Sequence, residues 1–410
     1  MAVYKPFCAL RPAKELAPLV AALPYDVMSS EEARERVKGN PYSFLHIDKA
    51  EIDLPVGTGL YDDCVYQKAR ENLNRMVAKR IFIRDDQPCF YVYRQIMDGR
   101  AQTGLVGCAS IDDYLNNVIK KHEKTRADKE ADRIRHVDTC NANTGPIFLT
   151  CRGGEALREL MQQICTGDPL YNFDSDGVRQ TVWRVDDPAL IQSLSAAVQA
   201  MDSLYIADGH HRCASAVRVG VNRREQAGTY TGAEEFNYFL SVLFPAEELK
   251  IMDYNRVVFD RNGLSPEELV GKISAAFTVE EKGCAPFTPP ARHTFGMYLS
   301  GKWYLLTARP GTFPEDDVVE SLDVSILQNN LLAPILGIRD PRTDKRIDFV
   351  GGIRGYAELE RRAGSGGVAF AMYPTALEEL MDIADAGLVM PPKSTWFEPK
   401  LLSGLFIHEL

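Results

Sequence analysis

The chain has 410 residues, 45% hydrophobic and 25% charged, with a formal net charge of −10. That length predicts two domains, each able to bury a core, and the acidic balance argues against a general nucleic-acid binder. Nine scattered cysteines without a C-x-x-C pair exclude a disulfide framework and a cysteine zinc site. No apolar run reaches the roughly 18 residues of a membrane span, and the start, Met1-Ala-Val-Tyr-Lys-Pro, lacks a secretory pattern. A cytoplasmic protein is expected.

Taken in order, Ala13 to Ala22 reads as a helix stopped by Pro24. Ser29 and Glu32 have capping-box spacing for a helix through Lys38. Ser43 to Ile47 reads as a strand. Asp62 to Arg80 repeats Val65, Ala69, Leu73, Met76 and Val77 at helical spacing. Phe90 to Met97 and Thr103 to Ile111 form a hairpin turned at Asp98-Gly99. Asp112 to Val137 is the most charged segment, and such a run is most often a solvated helix. This one is unusually poor in apolar residues between Ile119 and Ile134, which points to a functional loop.

Pro146 to Cys151 and Val178 to Val185 read as strands around a helix from Glu155 to Cys165. Asp187-Pro188 opens a helix to Met201. Asn237 to Phe244 is a further buried strand, and the domain boundary falls after Ala246. Residues 1–246 form the N-terminal domain and 247–410 the C-terminal one. In the latter, Val257 to Phe259 is a strand, and Ser265 to Glu268 caps a helix to Phe277. Phe295 to Leu299 and Trp303 to Thr307 make a hairpin. Val324 to Ile335 is a helix kinked or ended at Pro334, Ile347 to Val350 and Val368 to Met372 are strands, and Thr375 to Ala386 is a helix. The alternation predicts a mixed α/β, α+β architecture for both domains.

The stretch from Tyr205 to Ser215 carries the chemistry. Leu204 to Ala207 reads as a short buried strand, Asp208-Gly209 as a turn, and His210 onward as a helix stopping near Gly220. A strand, a glycine turn and a helix start direct free backbone N–H groups and a positive dipole end at one point, which suits an anion. His210, His211 and Arg212 add donors in the first turn. An arginine there opposes the dipole, so a phosphate is the expected counter-charge. Glu123 is the candidate base for an attacking hydroxyl.

Other motifs are missing. There is no G-x-x-x-x-G-K-[ST], no H-E-x-x-H and no G-x-S-x-G. Gly364 to Ala369 fits the loose dinucleotide pattern but precedes a strand instead of following one. Adjacent helical residues point about 100° apart, so His210 and His211 do not readily share one metal, and none is assigned. A metal-dependent hydrolase using His122, Glu123, His210 and His211 is a rival reading.

The chain resembles the bacterial family of unknown function number 1015. The resemblance rests on Phe7-Cys-Ala-Leu-Arg-Pro, Leu23-Pro-Tyr-Asp-Val27, Gly39 to His46, Val92 to Arg100 and Lys120-Lys-His-Glu123. It continues in Asp128-Lys-Glu, Ile206 to Arg212, Arg346 to Gly352 and Lys393 to Pro399. Asp208-Gly-His-His-Arg212 also resembles the nucleotide-phosphate motif of the ParB/sulfiredoxin-like superfamily, in the form found in free L-serine kinases. Those enzymes use a nucleoside di- or triphosphate and place a catalytic Glu in a Pro-His-Glu element upstream. Here Lys121-His122-Glu123 stands in that order.

The resemblance implies a ParB/sulfiredoxin-like core in the N-terminal domain, ADP or ATP with Mg²⁺ as cofactors, and a small hydroxyl substrate such as free L-serine. It implies Glu123, His122 and Asp208 as catalytic residues and Gly209, His210, His211 and Arg212 as phosphate-binding. Lys120, Arg126 and Lys129 would close over the donor, and Lys393, Ser394 and Thr395 would line the cleft. A nucleotide-switched or nucleic-acid-associated ParB-like protein is the other alternative.

Overall fold

Runs of apolar and β-branched residues give the first part of the chain a nine-stranded sheet. Its strands are β1 (Tyr4–Lys5), β2 (Phe90–Met97), β3 (Arg100–Ser110), β4 (Ile119–Lys120), β5 (Ile147–Cys151), β6 (Tyr171–Ser175), β7 (Val178–Val185), β8 (Leu204–Asp208) and β9 (Tyr238–Pro245). The order is β4-β8-β5-β9-β3-β2-β7-β6, with β1 paired to β3. Most neighbours are antiparallel, but β8 runs parallel to β4 and β9 parallel to β5. The structure, a computed structural model, describes residues 1–410.

The longer helices of this part are α1 (Ser30–Arg36), α2 (Asp63–Ala78), α3 (Ala127–Cys140), α4 (Glu155–Ile164), α5 (Pro188–Gln199) and α6 (His210–Ala227). Ser29 and Glu32 close the expected capping box on α1, and Asp187 caps α5 through the Leu190 N–H at 2.9 Å. One apolar cluster includes Phe90, Leu105, Leu149, Trp183, Leu194, Ile206 and Leu243, while another gathers Phe44, Ile47, Leu73, Met76, Phe82 and Ile407. α3 packs on both α2 and α6.

The chain divides into two units, Met1–Leu249 with Pro399–Leu410, and Lys250–Glu398. The tail, which the sequence reading assigned to the C-terminal domain, belongs to the first unit. There Leu10 and Ile407 exchange backbone bonds at 3.0 Å, and His408 pairs with Asn143. The second unit holds a six-stranded antiparallel sheet, running Phe277–Gly283, Lys302–Ala308, Thr294–Leu299, Val368–Met372, Tyr254–Val258, Ile347–Gly351. Helices Pro266–Ile273, Tyr356–Ala363 and Leu377–Asp385 belong to the same unit. The fold is thus α+β, and no helix is long and apolar enough to cross a membrane.

Three sequence expectations are corrected. Ser43 to Ile47 is not a strand: Leu45–Asp48 is a helical turn, with Ser43 Oγ accepting from the Leu45 N–H at 3.3 Å. A short apolar run fits a buried helix as well as a strand, and packing decides. Pro334 does not end a regular helix, because the helix from Asp323 to Leu327 already passes into a π-turn at Gln328–Leu332.

The third correction is that α6 does not stop at Gly220 but runs on to Ala227. Gly220 is there for contact: a Cβ at that position would lie 2.4 Å from the Phe236 carbonyl oxygen and 2.8 Å from Ile111 Cδ1. Helix propensity alone favours alanine by about 1 kcal/mol. The backbone clash reverses the sign, so Gly220→Ala is expected to destabilise by roughly 1–3 kcal/mol in denaturant titration.

Candidate functional site

Four consecutive buried residues, Leu204 to Ala207, make β8 a core strand, and it ends at Asp208 beside a register shift against β5. Gly209 then takes φ +91°, a left-handed conformation costly to any other residue, and α6 begins at His210. No side chain caps its first turn, so the leading N–H groups retain their capacity for an anion. Asp208 is built into this corner. One carboxylate oxygen accepts from the Gly209 N–H at 2.8 Å, the other from Lys400 Nζ at 2.7 Å. Burial opposes its charge, but Lys400, Arg212 and the Gly209 amide outweigh burial and hold the carboxyl at about 2.

The parallel pairing of β4 with β8 explains what sits opposite. Ile119 faces Leu204 and Lys120 faces Tyr205, so the two chains leave the sheet at the same end. Two residues past β4 comes His122, and two past β8 comes His210. Their rings lie edge to face with centroids 4.4 Å apart, and Glu123 Oε2 is 3.8 Å from His210 Nδ1. His122 and His210 are 3% and 5% exposed, whereas the Glu123 side chain is 47% exposed.

Burial pushes His122 down to about 4, against a smaller opposing pull from Asp208 and the Ile206 carbonyl. Burial, then the neighbouring His122, holds His210 well below its ordinary value. Both rings are therefore neutral at pH 7. His122 Nδ1 and His210 Nε2 are buried and have no hydrogen-bond partner.

A cavity of about 330 Å³ opens here, lined by Tyr114, Lys121, Glu123, Lys124, Thr125 and His210. A larger hollow of about 820 Å³ elsewhere in the unit is lined by residues including His46, Asp53, Lys68, Arg75 and Lys79. There His46 Nδ1 meets Asp53 Oδ1 at 2.8 Å.

The remaining expected site residues point in several directions. His211 turns away from His210, and its Nε2 accepts from the Arg126 N–H at 3.0 Å. The Arg212 guanidinium lies over the Tyr25 ring at 5.3 Å and meets Asp26 and the Pro146 carbonyl. Arg126 is bonded to Asp128, Lys129 to the Tyr61 hydroxyl, and Lys120 lies 5.9 Å from the Tyr205 ring centroid. None of these three cations lines the cavity; Lys121 and Lys124 do. Lys393, Ser394 and Thr395 belong to the second unit, where the Lys393 carbonyl accepts from Arg256 and Ser394 Oγ donates to Pro391.

Sequence reasoning did not find Lys400, which lies 192 residues from Asp208 and carries no local signal. Lys121 and Lys124 were discoverable as the cations flanking Glu123.

A family model described as "Protein of unknown function (DUF1015)" matches residues 4–325. No curated protein matches the sequence. Among solved structures, a free serine kinase variant in complex with AMP is similar, with 14% identity and a TM-score of 0.36 over 76% of this chain and 94% of that one. A conserved hypothetical protein from Pyrococcus furiosus has 15% identity and a TM-score of 0.36, over 76% and 97% of the two chains. C-terminally truncated SbnI from Staphylococcus aureus has 13% identity and a TM-score of 0.35, over 73% and 85%.

Proposed function

We propose, for a chain that belongs to the family described as Protein of unknown function (DUF1015), a nucleotide-dependent phosphotransferase acting on a small hydroxyl substrate. The observation that carries this reading is the half-exposed Glu123 carboxylate beside His210, at the uncapped start of α6. An uncapped helix start and a carboxylate beside its first residue are the two parts a phosphoryl transfer needs, since its catalysis is mainly positioning and charge stabilisation.

The N–H groups of the first turn hold the donor phosphates, with Arg212, which in the free protein meets Asp26, turning from that partner to the phosphate charge, and Lys121 and Lys124 balancing charge around the acceptor. Asp208 does not need to touch substrate: ionised, it fixes the Gly209 turn and anchors Lys400. The acceptor oxygen bonds to the terminal phosphorus of ADP or ATP, and the bond to the bridging oxygen breaks. The hydroxyl proton passes to Glu123, and AMP or ADP departs. Mg²⁺ travels with the nucleotide. Free L-serine is the first acceptor to try, because Asp208 to Arg212 resembles the motif of the free serine kinases. The net charge of −10 argues against the nucleic-acid alternative.

Calorimetric titration with ADP and ATP tests the donor site, and acceptor-dependent release of AMP or ADP tests the transfer. Arg212→Ala is expected to weaken nucleotide binding roughly 10–100-fold, the size of a lost charged hydrogen bond. Unchanged affinity in a folded Arg212→Ala protein removes Arg212 from the donor site.

A further inference from the structure

We infer that His122, Glu123 and His210 form a binding site for a divalent transition-metal ion, with zinc as its reference occupant. The inference rests on the proposed function only in treating this cavity as the reacting centre. One ligand atom from each residue lies within 4.8 Å of the other two. Donors around a tetrahedral zinc stand roughly 3.3 Å apart, so small side-chain rotations close the set.

The nitrogens say more than the spacing. The His122 ring hydrogen-bonds to the Ile206 backbone, and its Nδ1 has no partner, so Nε2 is the donor to the Ile206 carbonyl. That bond fixes the tautomer and leaves the Nδ1 lone pair bare and buried. An imidazole whose far nitrogen donates to a backbone carbonyl is the usual arrangement of a metal-ligating histidine. A buried acceptor without a donor is costly, and a cation at this point removes the cost. His210 Nε2 is likewise buried and unpartnered, while its Nδ1 faces Glu123 at 3.8 Å.

Two imidazoles and one carboxylate select a borderline ion over Mg²⁺, which takes oxygen ligands and keeps its waters. The nucleotide's Mg²⁺ is therefore a different ion from this one. His211 takes no part, since its Nε2 is engaged with the Arg126 N–H. Glu123 would offer the ion one carboxylate oxygen and keep the other, in the cavity that Lys121 and Lys124 also line, for the acceptor's proton.

The test is calorimetric titration of zinc into full-length, chelator-treated protein. The exposed thiols Cys8, Cys64 and Cys284 are first changed to serine to remove competing sulfur. One zinc per chain is expected, with thermal stabilisation. Glu123→Gln and His122→Ala should each weaken it by on the order of 100-fold or more, beyond what losing an outer-shell partner costs. His211→Gln, whose amide oxygen still accepts from Arg126, should keep the zinc affinity. Absence of saturable zinc binding overturns the inference. So does an undiminished affinity in Glu123→Gln, a half-exposed change that leaves folding alone. Nucleotide binding and transfer are read separately. Transfer without zinc binding overturns the metal site alone, and zinc binding without nucleotide binding overturns the phosphotransferase alone.

Discussion

Glu123→Gln is expected to lower phosphotransfer by roughly 10²–10⁴-fold, the contribution of a positioned general base. ADP and ATP should still bind, because the donor phosphates rest on α6 and Arg212. The substitution is nearly isosteric, and the side chain is 47% exposed, so the fold should not respond. It removes the one carboxylate that faces His210 in the cavity. The loss should fall on kcat more than on KM, since a proton acceptor acts in the transition state and not in ground-state binding. Steady-state kinetics with calorimetric nucleotide titration separates the two terms. Full activity in Glu123→Gln removes Glu123 as the base.

The second large effect belongs to the second unit, and it concerns stability. Asp323 Oδ1 accepts from the His293 N–H at 2.7 Å, and His293 itself holds φ +63°. Burial pushes the Asp323 carboxyl up to about 7; Glu379 adds to this, while the His293 amide and Arg292 pull the other way. The folded carboxyl thus holds its proton far more tightly than an unfolded one, whose pKa is about 3.9.

The stability tied to that proton is fully present below about pH 4 and is lost as pH rises through 7. The loss is at most roughly 4 kcal/mol, less whatever solvent screening removes. Thermal unfolding of the second unit should therefore occur at lower temperature at pH 8 than at pH 5. Asp323→Asn should flatten that difference. Equal transitions at both pH values would contradict the assignment.

The fold was legible where local signals and packing agreed. The capping boxes at Ser29 and Ser265, the hairpin at Asp98-Gly99 and the buried strand at Leu204 each rest on a few adjacent residues. Misreadings occurred where distant atoms decide. Gly220 looks like a helix stop until the Phe236 carbonyl is found against it. Ser43 to Ile47 looks like a strand until α2 is packed beside it.

The site shows the same division. Asp208 to Arg212 stands out as a local pattern. Its closeness to Glu123 depends on β4, only two residues long, lying parallel to β8. Periodicity cannot reveal a two-residue strand, so that neighbourhood came from motif resemblance. Lys400 reaches Asp208 because the tail returns to the first unit, a path with no signature in composition.

The central claim is that the cavity at the start of α6 transfers a phosphoryl group. Phosphorus NMR of the full-length protein with Mg²⁺, L-serine and either ADP or ATP tests it most directly. The expected result is a new phosphoserine resonance, with AMP or ADP appearing alongside it, and neither in Glu123→Gln. The contradicting result is an unchanged spectrum with both donors and no thermal stabilisation of the protein by either nucleotide.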